Sequence, residues 1–186
     1  MAKQFSAFNE RLTNFVSQQQ IFFVSTAPAD GRVNCSPKGM DSLLVLGPNR
    51  LVWLNGTGSG NETAAHIKEN GRMTIMWCAF DGAPLILRAY GTAKTIHAGE
   101  DGWDELYAKF PPMGAARQIY DLDVEMVQTS CGMAVPYMDF NSERTQLREY
   151  WDKKDNEGVL DYWELKNKKS IDGLSTGMEE VLGERR

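Results

Sequence analysis

The residues best suited to chemistry gather in two stretches. The first is "WLNGTGSGNETAAHIKENG", residues 53–71, where an apolar run ends at Asn55, glycines stand at Gly56, Gly58 and Gly60, and helix-forming residues run to Gly71. Glycines permit backbone paths strained for other residues, and a helix start presents free N–H groups to an anion. Thr57, Ser59, Asn61 and Thr63 add hydroxyl and amide donors, so the loop is a candidate phosphate site. The plain alternative is a flexible connection, because glycine-rich turns are common punctuation. Two nucleotide patterns are not met. No Lys-Ser or Lys-Thr follows the glycines as in a Walker loop, and no βαβ unit surrounds the GxGxG run as a dinucleotide fingerprint requires.

The second stretch is "VNCSPKG", residues 33–39. Strand alternation places Asn34 and Ser36 on a face that Val33 and Cys35 do not share, and Lys38 follows where Pro37 interrupts the ladder. Lys38 could supply the cation that a phosphate needs; taken alone it reads as a surface lysine in a turn. His66 and His97 have no acidic or cysteine partner at ligand spacing, so no metal site is expected. No Cys-His nucleophile pair is identifiable, and Cys131 in "TSCGMAVP" reads as a small buried hydrophobe near an unusual turn.

The elements that would position these residues are mostly strands. Phe8, Leu12, Phe15 and Val16 share one face of a helix expected from Ser6, its cap, to about Gln20. Three hairpins follow: "IFFVSTA" with "RVNCS", "SLLVLG" with "RLVWLN", and "RMTIMWCAF" with "LILRAYGTAKTI". Gly91 in the last suggests a bulge or a close backbone approach. Asn61 and Gly71 are candidate start and stop of the helix between the second and third hairpins. "WDELYAKF" reads as a short helix stopped by Pro111 and Pro112, and residues 119–127 as a half-buried strand. About seven antiparallel strands argue against a parallel Rossmann sheet and for a mainly β fold with peripheral helices, a small closed or nearly closed barrel. Residues 142–169 are charged and helical in pattern, with Trp151, Tyr162 and Trp163 interspersed, and form part of a helical C-terminal appendage at about 140–186 on a single domain.

Composition narrows the classes. In 186 residues, 42% are hydrophobic and 24% charged, which suits one folded domain, and a net charge of -5 with mixed signs offers no footprint for nucleic acid. The N-terminus lacks a signal's apolar stretch, no run of apolar residues is long enough to span a bilayer, and the three cysteines are widely spaced. A cytoplasmic protein with reduced thiols is expected, and the three Asn-X-Ser/Thr sequons carry no weight there.

Taken together, the N-terminal helix, the hairpins, the Ser-Pro-Lys-Gly turn, "LVWLNGTGSGNETAAHIKENGRMTIMW" and "LRAYGTAKTI" resemble the pyridoxamine 5'-phosphate oxidase-like family of FMN-binding split barrels over about residues 15–98. The resemblance implies an antiparallel split β-barrel, a homodimer with FMN in clefts between subunits, and a flavin-dependent oxidoreductase acting on a small molecule, with NAD(P)H a candidate donor. Carried over by position, Lys38 matches a phosphate-binding lysine, and Trp53, Leu54 and Asn55 match the strand end beside the flavin ring. Ser59 and Asn61 fall where the family commonly has a serine and an Arg or Lys pair. Here Gly60, Asn61 and Glu62 bring no positive charge. Phosphate binding would then lean on Lys38, hydroxyls and the helix start, with Arg88 as the candidate compensating cation. Cys131 and Gly132 are candidates to approach the flavin, that of a partner chain included. The ending "DYWELKNKKSIDGLSTGMEEVLGERR" does not reproduce the substrate-gripping segment of true pyridoxamine phosphate oxidases. The alternative from another class is a flavin or haem carrier or sensor without turnover, or an enzyme using a deazaflavin.

Overall fold

The computed structural model describes residues 2–185. Its strands are β1 (Lys3–Phe5), β2 (Phe22–Thr26), β3 (Asn34–Lys38), β4 (Leu43–Gly47), β5 (Arg50–Gly56), β6 (Arg72–Cys78), β7 (Ile86–His97) and β8 (Ala116–Ser130). The helices are α1 (Glu10–Ser17), α2 (Glu62–Asn70), α3 (Trp103–Tyr107), α4 (Gln146–Trp151), α5 (Asn156–Lys166) and α6 (Met178–Arg185).

All pairings are antiparallel, in the order β3-β2-β6-β7-β8-β5-β4, with β1 added to β8. The three expected hairpins form, and the result is a split barrel whose sheet stays open between β3 and β4. β8 is longer than residues 119–127 because its first residues pair with the end of β5 and with His97 on β7. At Gly91 the β7–β8 register shifts, and a Cβ there would collide with the Asp123 carbonyl oxygen, so any side chain would break the ladder.

Apolar alternation decides what the sheet encloses. Leu12, Val24, Leu51, Ile75, Leu87 and Leu122 meet in one core under α1, while Val52, Leu54, Ile96, Trp103 and Ile119 form a second on the other face. Helix α1 starts later than expected. Asn9, not Ser6, is its cap and accepts the Leu12 N–H at 3.0 Å. Residues 6–8 are held to the β4–β5 turn instead, through Asn49 to the Ser6 carbonyl and the Phe8 N–H to the Pro48 carbonyl. Helix α3 ends at Tyr107, ahead of Pro111 and Pro112.

Helix α2 lies between the sheet and the C-terminal segment. It ends at Gly71, whose φ of 72° is left-handed and whose carbonyl receives the Ala93 N–H. His66 anchors it, fully buried with Nδ1 2.9 Å from the Thr26 hydroxyl. Burial, against the opposing pull of Glu62 and Glu69, holds its imidazole below the ordinary histidine value. The unfolded chain therefore binds this proton more readily than the folded one. Stability should fall as pH drops below about 6.5. Thermal unfolding between pH 7 and 5 should show this loss, and His66→Gln, which can still bond Thr26, should flatten it. An unaltered slope in the variant would assign the pH dependence to other groups.

Candidate functional site

The glycine loop after β5 is built around a cation that its own sequence lacks. Arg117, at the start of β8 and 4% exposed, donates to the carbonyls of Gly58 and Gly60 at 3.0 and 2.8 Å and to Asn61 Oδ1 at 3.0 Å. Its Nε donates to Gln118 Oε1 at 3.1 Å, and Gln118 in turn accepts from Asn55. Burial pushes the guanidinium below its ordinary pKa, yet its donors meet oxygen acceptors on several sides, as a buried charge requires.

The C-terminal segment closes over the same loop. Thr57, fully buried, gives its N–H and hydroxyl to the Ala115 carbonyl, while Trp151 Nε1 donates to its carbonyl at 2.9 Å and Trp163 Nε1 to its hydroxyl oxygen at 2.8 Å. Asn61 heads α2 without capping it. Its amide donates to the carbonyls of Ser59, Lys166 and Lys169, and its oxygen accepts from Asn167 as well as Arg117. Glu62 accepts the Asn61 N–H at 3.1 Å and the Ile171 N–H at 3.2 Å. The loop's donors and acceptors are thus largely engaged by protein, and of the hydroxyl side chains in it only Ser59 faces solvent.

The β3 row is arranged as alternation predicts. Asn34, Ser36 and Lys38 turn inward while Cys35 and Pro37 face out. Ser36 donates to Asn34 Oδ1, and Asn34 donates to the Thr63 hydroxyl oxygen in the first turn of α2. Lys38 is half-buried, its Nζ 5.3 Å from the centre of the Trp53 ring, and among the described residues no carboxylate pairs with it. Burial and the nearby Arg117 charge push its ammonium below the ordinary lysine value, while Glu62 acts in the opposite sense.

Lys38 opens on a groove of about 890 Å³ whose walls include Ile21, Pro37, Met40, Phe80, Phe140 and Tyr150. At its rim Met40 and Asp41 both take left-handed backbone, at φ 66° and 51°, a conformation that non-glycine residues seldom adopt. Helix α4 contributes Leu147 and Tyr150 to the groove and Trp151 to the loop seal, so one short helix touches both.

The remaining candidates are dispersed. Trp53 lies in the core, stacked on Tyr120 at 4.9 Å, with Leu54 and Asn55 also buried. Arg88 donates to the Ser130 hydroxyl, nine residues along β7 from His97, which pairs beside the loop; within one chain the cation at the loop is Arg117 and not Arg88. Cys131 is exposed at the end of β8, and Gly132 packs on the Leu85 backbone. Neither His66 nor His97 lines the groove. Arg117 and Glu62 escaped the sequence reading as site residues because one stands two residues ahead of the expected strand and the other reads as an ordinary acidic first-turn residue. The available signal was the Arg-Gln pair directly ahead of the alternating strand pattern of residues 119–127.

With this geometry in hand, relatives can be placed. The family model for pyridoxamine 5'-phosphate oxidase matches residues 8–131. The chain belongs to this family. A family member from Aspergillus flavus, ustO, is 35% identical over 91% of this chain and 76% of its own length. Among solved structures, a single-residue variant of HupZ from Group A Streptococcus superposes with a TM-score of 0.53 at 19% identity, covering 66% of this chain and 98% of its own. A putative pyridoxamine 5'-phosphate oxidase from Lactobacillus delbrueckii gives 0.53 at 22% identity over 66% and 94%. These two share the barrel; the C-terminal seal on the glycine loop is described by this chain's own contacts.

Removing the seal's centre should cost much of the stability. Arg117→Met removes the donor to the Gly60 carbonyl and one of two donors to the Gly58 and Asn61 oxygens, which Asn167 also reaches, and should lower unfolding free energy by about 3 kcal/mol, whereas Trp163→Phe, losing one hydrogen bond to Thr57, should lower it by about 1 kcal/mol. Urea unfolding measures both, and equal midpoints for wild type and Arg117→Met would show that the guanidinium does not hold the loop.

Proposed function

We propose that the chain binds a flavin, FMN in the family expectation, in the groove beside Lys38 and works as a flavin-dependent oxidoreductase on a small molecule. One observation carries this reading: a half-buried ammonium with no carboxylate paired to it among the described residues faces an apolar groove in a member of this family. Keeping such a charge uncompensated is unfavourable in the free protein, and an anionic ligand removes the penalty.

The residues present fit the group unequally. The apolar walls suit a planar ring system, and a volume of about 890 Å³ lies within the range of cofactor sites, roughly 300–1,000 Å³. Lys38 is the cation for the phosphate, with the Thr63 hydroxyl proton beside the Asn34–Ser36 row as a further donor. The glycine loop does not fit, because Arg117, Asn167 and the two tryptophans already engage it. A bound flavin supplies the electron chemistry. The protein's part is to bind and orient it. Ile21, Phe80 and Tyr150 exclude water from the groove, and Lys38 places positive charge there.

The groove is open on one side, flanked by exposed Tyr137, Met138 and Phe140, with Val33 exposed at 75% on the outward face next to β3. We assign this apolar margin to a second copy of the chain, forming a homodimer that completes the cleft, with NAD(P)H as donor.

Purified protein mixed with FMN and freed of excess should keep a flavin absorption band that bleaches anaerobically with NADH or NADPH. Lys38→Met should retain FMN at least about tenfold more weakly while melting no lower than wild type in the free state, because a buried charge has gone. Equal FMN affinity in the variant would remove Lys38 from the site. A retained band that neither nucleotide bleaches would point to a carrier or sensor.

A further inference from the structure

We infer that the chain has a second ligand site, on the far side of α4 from the Lys38 groove, which takes an aromatic amino acid as its zwitterion.

The site is a cavity of about 670 Å³ bounded by α3, the turn ahead of β8, the end of α4 and the start of α5. Four aromatic side chains line it: Trp103, Tyr107, Trp151 and Trp163. Trp103 and Tyr107 are stacked with ring centres 5.5 Å apart. The Tyr107 hydroxyl accepts the Met113 N–H at 3.1 Å and lies 3.2 Å from the Met113 carbonyl oxygen, which ties α3 to the turn. The indole N–H groups of Trp151 and Trp163 are spent on Thr57, so these two rings offer the cavity carbon surface. Such a lining suits a planar ring in edge-on or offset contact. The same turn holds its shape without a ligand, because Ala115, in left-handed backbone at φ 53°, gives its carbonyl to the Thr57 N–H and hydroxyl.

Charge selects the rest of the ligand. The cavity is lined by one carboxylate and one ammonium, Asp152 and Lys154. Asp152 Oδ1 lies 3.2 Å from where a Gly114 Cβ would sit, against the turn backbone, and Lys154 Nζ lies 5.3 Å from the centre of the Tyr150 ring. Among the described residues neither forms an ion pair, with the other or with a third group. A ligand that is only anionic gains from Lys154 and is repelled by Asp152, and a ligand that is only cationic meets the reverse. A zwitterion engages both through charge-assisted hydrogen bonds. An aromatic amino acid joins that pair of charges to the ring that the lining suits. Leu147 and Tyr150 of α4 line the Lys38 groove while Trp151 and Asp152 line this cavity, so binding here does not require a flavin.

Calorimetry of the full chain with L-phenylalanine at constant ionic strength tests the site, with screening held fixed. Three analogues each lack one part: phenylpropionate the ammonium, phenylethylamine the carboxylate, and L-alanine the ring. L-Phenylalanine should bind at least about tenfold more tightly than each of them. Asp152→Asn should weaken L-phenylalanine and phenylethylamine about tenfold while phenylpropionate binds no worse, and Lys154→Met should weaken L-phenylalanine and phenylpropionate while phenylethylamine binds no worse. Both side chains are exposed, so the variants should melt close to wild type. A merely structural role for either residue would move all ligands together and would not produce this crossed pattern. No binding of L-phenylalanine, equal affinity for all four ligands, or variants that change every ligand alike would overturn the site.

Discussion

The structure depends on keeping one guanidinium charged inside the protein. Arginine does not surrender its proton under ordinary conditions, so Arg117 can be buried only if its donors find oxygen. The glycine loop meets that demand by turning the Gly58 and Gly60 carbonyls inward, and Asn61 adds its side-chain oxygen. Once those carbonyls are committed, the path of the loop is set, and so is the surface on which the C-terminal segment can settle. Trp151, Trp163 and Asn167 all attach there. The seal in turn places α4, whose Leu147 and Tyr150 wall the groove.

Lys38 is the counterpart that lacks such provision. It sits near Arg117, half-buried over Trp53, and its environment makes the charged form harder to keep. A cation–π contact of this kind offsets only part of the desolvation, about 1 kcal/mol or somewhat more. Left-handed backbone at Met40 and Asp41 adds strain at the same rim. Arg117 shapes the loop, and in the proposed function Lys38 is the cation left for a ligand.

Much of this fold was legible in the sequence because hairpins announce themselves locally. The turn residues between β2 and β3, β4 and β5, and β6 and β7, the left-handed Gly71 and the close approach at Gly91 are short-range signals. Alternation also placed Asn34, Ser36 and Lys38 on one face. What local pattern could not reveal was who meets whom at long range. Thr57 and Trp163 are separated by 106 residues, and nothing in "NGTGSGN" indicates that its freedom is used to face an arginine on β8. Ser6 and Asn9 are both good caps, and the choice between them was made by the contacts of Asn49 and Phe8 with the neighbouring turn. The three-residue β1 is a strand only because β8 is beside it.

The central claim is that Lys38 is a cation waiting for an anion. Its titration, followed by NMR through isotopically methylated lysines with Lys38→Met for assignment, tests this most directly. The account predicts a Lys38 value below that of ordinary lysines in the free protein, moving upward when FMN is added. A Lys38 that titrates like an exposed lysine and does not respond to FMN would contradict it.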